Sequence, residues 1–149
     1  MNISFVCCIF LAAIVIGSAE LHAIDSSMPF VAIQHSGTTA NLSSVVFVNQ
    51  EKGWAVGEGG TIIYTTDGGN HWLTQTNAMS TNLMSVDFVD EKHGWAVGKQ
   101  GTVIHTRDGG NTWVHDKLIT DQDLWDLSFL TPTRGWAVGS GGTILQLRN

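Results

Sequence analysis

Short apolar runs alternate with polar turns through most of this chain. Ser44–Val48, Gly53–Gly57, Thr61–Thr66 and His71–Thr76 are rich in β-branched, aliphatic and aromatic residues and are separated by Gly, Asn and Asp. Such runs are the pattern of brief strands joined by tight turns. Beyond the N-terminal apolar run, no stretch keeps the i, i+3, i+4 spacing of an amphipathic helix. The pattern then recurs. Trp54, Trp95 and Trp136 are each 41 residues apart, as are Asp67 and Asp108. Gly-Trp-Ala-Val-Gly occurs three times, at 53–57, 94–98 and 135–139. Four short antiparallel strands in a period of about 40 residues describe a propeller blade. The expectation is an all-β fold of β-propeller blades, four antiparallel strands (A to D) each and about three blades per chain.

The turn between strands C and D has its own signature. Thr65-Thr66-Asp67-Gly68-Gly69-Asn70-His71-Trp72 returns as Thr106-Arg107-Asp108-Gly109-Gly110-Asn111-Thr112-Trp113. Asp-Gly suits a turn that needs positive φ, and the carboxylate can accept backbone N–H bonds across it. Asp67, Gly69, Trp72, Asp108, Gly110 and Trp113 are therefore read as turn-forming residues. The segment resembles the Asp-box, or bacterial neuraminidase repeat, of sialidases and other propellers. With Gly-Trp-Ala-Val-Gly and the Gly-Gly-Thr-Ile turn, residues 30–149 resemble the photosystem II assembly (stability) factor family. That resemblance implies a propeller whose Asp-box is structural, and, for photosynthetic members, a lumenal protein that helps assemble the reaction centre.

The two ends of the repeat region are offset. The third repeat has strands A, B and C, while Val31–Ser36 aligns with Trp72–Asn77 and reads as an unattached strand D. Propellers have 4–8 blades, so three blades point to closure by oligomerisation, two chains making six blades. An open three-bladed domain and a shortened relic of a longer propeller are the alternatives.

Ile3–Ala19 is apolar apart from Ser4, Gly17 and Ser18, and small residues follow. This fits a secretory signal peptide cleaved after Ala19 or Ala23, giving residues 1–23 as leader and 24–149 as the propeller repeat domain. No Lys or Arg precedes the run, so an uncleaved anchor is the alternative, and membrane contact is expected only through it. Cys7 and Cys8 both lie in this segment, so the processed chain would hold no disulfide. The expected location is periplasmic or extracellular, or the thylakoid lumen in a photosynthetic organism.

Charge and chemistry narrow the function. Seven Lys and Arg stand against 13 Asp and Glu, for a net charge of −6. Broad nucleic-acid binding needs a basic face and is not expected. The six histidines show no close ligand pair of the HxH or HxxxH kind, and one carboxylate per Asp-box is a poor calcium cage. No metal or other cofactor is expected. Sialidase chemistry needs an arginine cluster and a tyrosine nucleophile, whereas the chain has three arginines and one tyrosine, Tyr64. No catalytic residues are assigned.

Binding is expected where otherwise similar repeats differ. The B–C turns carry Glu58, Lys99 and Ser140 at one position, and the start of strand A carries Ser43, Met84 and Trp125. D–A and B–C connections share one face of a propeller. Trp125, Glu58, Lys99, Asp123 and Met84 are therefore the candidate binding residues, with Trp125 foremost. The sequence points to an exported, non-catalytic scaffold that binds another protein. The alternatives are a lectin-like oligomer that binds glycans and, below that, a glycosidase-related Asp-box protein.

Overall fold

The computed structural model describes residues 32–77, 79–116 and 119–148. The leader, its cleavage sites and both cysteines lie outside them. Ile33–Asn149 forms one compact unit. Its described residues contain eleven strands: β1 (Leu42–Phe47), β2 (Gly53–Gly57), β3 (Ile62–Thr65), β4 (Leu73–Thr74), β5 (Leu83–Phe88), β6 (Gly94–Gly98), β7 (Val103–Thr106), β8 (Val114–His115), β9 (Leu124–Thr131), β10 (Arg134–Gly139) and β11 (Ile144–Leu147). They form three antiparallel sheets, β1-β2-β3-β4, β5-β6-β7-β8 and β11-β10-β9. The fold is all-β, and each sheet is one blade of the repeat.

Strands A, B and C lie where the periodicity predicts. Strand D is shorter than predicted: two residues, β4 and β8, in place of the six of His71–Thr76. The Asp-box consumes its start, and its end is committed elsewhere. Gln75 N donates to Ile62 O at 2.9 Å, but its side chain leaves the sheet for the next blade. Residues 33–36 form no strand among the described residues. Gln34, one repeat before Gln75, reaches the first Asp-box, its Nε2 donating to Gly68 O at 3.4 Å.

The blades pack face to face. Trp54, Val56 and Ile62 of the first meet Val86, Phe88, Ala96 and Ile104 of the second. Trp95, Val97 and Val103 of the second meet Leu127, Phe129 and Ala137 of the third. Each seam is closed by a stacked aromatic pair. Trp54 lies on Phe88 at 3.8 Å and 9°, and Trp95 on Phe129 at 3.7 Å and 10°. Such pairs add about 0.5–1.5 kcal/mol beyond the area they bury.

The glycines of Gly-Trp-Ala-Val-Gly exist for close approach. A Cβ at Gly53 would stand 2.7 Å from the Phe47 ring. Gly94 and Gly135 are covered in the same way by Phe88 and Phe129. The closing glycines, Gly57, Gly98 and Gly139, lie against the carbonyls of Asn41, Asn82 and Asp123.

Candidate binding site

The inner strands β1, β5 and β9 lie side by side from blade to blade. Each contains a bulge at the same place. β1 shifts register between Leu42 and Ser44, and β5 between Leu83 and Ser85. In β9, Val138 pairs with Asp126 and Gly139 with Leu124. The bulged residues are therefore Ser43, Met84 and Trp125. A bulge removes one residue from the ladder and re-aims its side chain. These are among the positions at which all three repeats differ. Trp125 is 55 % exposed although it lies in a strand.

The turns that flank the bulges are built alike. After strand B, each blade makes a tight 3-10 turn: Glu58–Gly60, Lys99–Gly101 and Ser140–Gly142. Each turn is held from its own blade by a backbone bond, as when Glu58 N donates to Asn41 O at 3.0 Å. The first two are also held from the next blade. Gly59 N donates to Asn82 Oδ1 at 3.0 Å, and Gln100 N to Asp123 Oδ1 at 2.9 Å. D–A and B–C connections thus share one rim, as expected. The other rim joins A–B and C–D turns, with Gly68 N donating to Glu51 O at 2.9 Å.

The candidate residues fall on the first rim as follows. Lys99 Nζ lies 3.7 Å from Asp123 Oδ2, and its turn packs against β9, the strand of Trp125. Glu58 accepts from Asn41 Nδ2 at 3.0 Å, and its turn packs against β5, the strand of Met84. Lys99 and Asp123 therefore pair on the rim, two residues along the chain from the bulged Trp125, while Glu58 and Met84 lie one blade back. Asp123 is largely committed: its side chain holds Gln100 N and its carbonyl takes Ser140 N at 2.8 Å. Asp126 is committed too, accepting from Ser85 Oγ at 2.7 Å and Leu127 N at 2.9 Å. Sequence reasoning passed over Asn41, Asn82 and Gln75 as functional framework. Asn41 and Asn82 are 41 residues apart, as are Gln34 and Gln75, but the partners held by the Asn82 and Gln75 side chains, Gly59 N and Gly109 O, are on another blade.

The Asp-boxes lie on the other rim. Asp67 Oδ1 accepts from His71 N at 2.9 Å and from Thr65 Oγ1 at 2.9 Å. Asp108 Oδ1 accepts from Thr112 N at 2.9 Å and from Thr106 Oγ1 at 2.8 Å. The His71 backbone N–H, then the His71 ring, hold the Asp67 carboxyl down to about 2. The Thr112 hydroxyl and backbone N–H lower Asp108 in the same direction. A carboxylate that accepts several N–H and O–H groups keeps its charge. The glycines behind each Asp turn left-handed, Gly68 at φ 70° and Gly69 at φ 88°. The oxygens close the turn, and among the described residues no cluster of His, Cys, Asp and Glu is arranged to hold a metal ion.

Three face-to-face sheets of one repeat, tied at one rim by Asp-boxes, define a β-propeller protein of the Asp-box class. The chain belongs to the photosynthesis system II assembly factor YCF48 family, whose family model matches residues 23–115. Solved structures similar to it include two of YCF48. YCF48 bound to D1 peptide is 28 % identical with a TM-score of 0.71, over 78 % of this chain and 39 % of that one. YCF48 from Cyanidioschyzon merolae is 22 % identical with a TM-score of 0.64, over 74 % of this chain and 38 % of that one. The chain thus spans about two-fifths of the length of these structures. No curated protein sequence matches it.

Proposed function

We propose that this chain is a non-catalytic, peptide-binding propeller module that serves the assembly of a partner protein, and that its peptide lies across the rim bearing Trp125. The carrying observation is the bulge repeated in β1, β5 and β9, which places a different side chain at each step and leaves Trp125 exposed, two residues along the chain from the Asp123 that pairs with Lys99. A Trp offers a large, rigid contact with little entropy to lose, and aromatic anchors dominate peptide recognition. Lys99 can take a carboxylate of the ligand, and Glu58, one blade back, a cationic group. YCF48 bound to D1 peptide, the relative of higher identity here, supports a peptide as the ligand class. In this reading the chain is exported, residues 1–23 acting as its leader.

The test is a titration of labelled D1 peptide by fluorescence anisotropy. Trp125→Ala should weaken binding at least tenfold, about 1.4 kcal/mol or more. Unchanged affinity in that variant would remove the rim from the binding site. A lectin-like role has less support. Asp123 and Asp126, the carboxylates that would hold sugar hydroxyls, are already spent on Gln100, Ser85 and Leu127.

A further inference from the structure

One exposed residue of the rim holds a backbone conformation that works against its side chain. Gln100 has φ 57° and ψ 37°, in the left-handed region, and every other described residue at positive φ is a glycine. The same position in the neighbouring turns is Gly59 at φ 61° and Gly141 at φ 63°. An L side chain is strained there, and Asn or Asp offsets part of that strain by bonding its own backbone. The longer Gln100 side chain has no such relief, for it makes no hydrogen bond among the described residues. Nor is it packed: Gln100 is exposed, and a Cβ at the equivalent Gly59 would meet nothing within 4 Å. Within the fold, this side chain lowers stability and gains no bond.

Its place on the rim is nevertheless fixed. The Gln100 N–H donates to Asp123 Oδ1 at 2.9 Å, so the connection leading into β9 pins it two residues before Trp125. Lys99, its chain neighbour, lies 3.7 Å from the other oxygen of that carboxylate. The turn as a whole packs against β9. All these contacts lie between the second and third blades. Backbone strain that the surroundings hold in place gathers at ligand clamps and active sites, and here it stands at an exposed position of the rim that carries Trp125.

We propose that Gln100 binds the peptide directly, its side-chain amide pairing with a peptide group in the main chain of the bound segment. This rests on the reading of the rim as a peptide site. Trp125 offers that ligand an apolar face and Lys99 a charge, and both suit side chains. An extended peptide also brings N–H and C=O groups, which lose water on docking and are costly when left unpaired. The Asp123 carboxylate is already engaged by Gln100 N and Lys99. A primary amide presents two donors and an acceptor in one plane, the complement of the N–H and C=O of a peptide group. Gly59 and Gly141 have no side chain to offer. Of the three turns, only that of the second blade makes this bond, which fixes where the peptide main chain crosses the rim.

The test titrates labelled D1 peptide by fluorescence anisotropy, and measures urea midpoints, for the full chain and for Gln100→Gly, Gln100→Ala and Trp125→Ala. Gln100→Gly should bind about three- to tenfold more weakly, the worth of one hydrogen bond or two, while its urea midpoint rises. Gln100→Ala should bind as weakly with no gain in midpoint, because it keeps the strained Cβ. A residue that serves only the fold would move affinity and stability in the same direction. Peptides with one amide replaced by its ester locate the contact. One such ester should weaken binding to the wild type by a similar factor and make no further difference in Gln100→Ala. Wild-type affinity in Gln100→Gly, with Trp125→Ala weakened, would overturn the role of Gln100 and leave the rim as the site. A loss in Gln100→Gly but not in Gln100→Ala would assign the effect to turn flexibility and overturn that role too, as would the absence of any ester coupled to Gln100. A wild type that does not bind the peptide, or unchanged affinity in both Trp125→Ala and Gln100→Gly, would overturn the rim and the Gln100 contact together.

Discussion

Gly94 has an ordinary extended backbone, yet no other residue fits there. The Phe88 ring lies directly over its Cα, and Trp54 stacks on that same ring at 3.8 Å. A methyl group at Gly94 must displace both aromatics. Gly94→Ala should cost about 1–3 kcal/mol, as overpacking does in a filled core, read from the midpoint of urea unfolding. Gln100 is the converse case. Its φ of 57° makes it the one non-glycine residue at positive φ among the described residues, and the other two repeats place Gly59 and Gly141 there. L-residues pay about 1–2 kcal/mol in that region, partly offset by the extra chain entropy of glycine. Gln100→Gly should therefore raise the melting temperature by a few degrees, with its bond to Asp123 kept because the donor is backbone.

Asp67 makes a pH-dependent contribution at the same scale. Its carboxyl is held at about 2 against an ordinary 3.8. A folded-state value below the unfolded one stabilises the fold above the unfolded value, and that contribution is lost as pH falls through the folded one. The loss therefore runs from about pH 4 down to pH 2. Asp67→Asn should flatten the stability profile across this window and leave its slope above pH 5 unchanged, as followed by urea midpoints at each pH.

Among the elements, strand D depends most on its neighbour. β4 has only two residues in ladder register, and Leu73 is 58 % exposed. What anchors it is Gln75, nine-tenths buried, which donates to Gly109 O at 2.8 Å and accepts from Trp113 Nε1 at 3.3 Å. Gln75→Ala takes one bond from each partner in a partly buried seam, where Gly109 O keeps only Trp54 Nε1 at 3.2 Å, a cost of about 1–3 kcal/mol. Hydrogen exchange should show β4 opening before β1–β3 in that variant. Exchange equally fast across all four strands would mean that the blade opens as one unit. The short strand also explains why the sequence pattern over-extends it. Alternation of residue types cannot tell a ladder from a turn: His71 and Thr76 are both exposed, and His71 is bonded to Asp67 within the Asp-box.

At the scale of the whole molecule, the seams carry the stability and the rim carries the proposed recognition. Trp95 is 3 % exposed and stacks on Phe129 across the second seam. Trp95→Ala should cost about 3–5 kcal/mol, as large core truncations do, and this should appear in thermal unfolding. Lys99→Glu acts elsewhere. It turns the 3.7 Å attraction to Asp123 into repulsion and adds charge to a rim rather than a core. It should slow association of an acidic peptide and weaken the salt dependence of that rate, while moving thermal stability little. Stopped-flow measurements at two salt concentrations separate the two effects.

The 41-residue period, the strand type, the Asp-box turns and the rim that holds the variable positions all follow from the amino-acid order. They are local properties repeated at a fixed spacing, and repetition makes them readable. The bulges were not readable in this way. A bulge is a mismatch between two strands, set by how β1 meets β2, and no pattern within one strand reports it. The commitment of Asp123 to Gln100, and of Asp126 to Ser85, was hidden for the same reason. Those partners come from other blades, and only packing of sheet on sheet brings them together. Exposure of Trp125 beside burial of Leu124 is likewise a tertiary outcome: neighbours along one strand, separated by a kink that the pairing imposes.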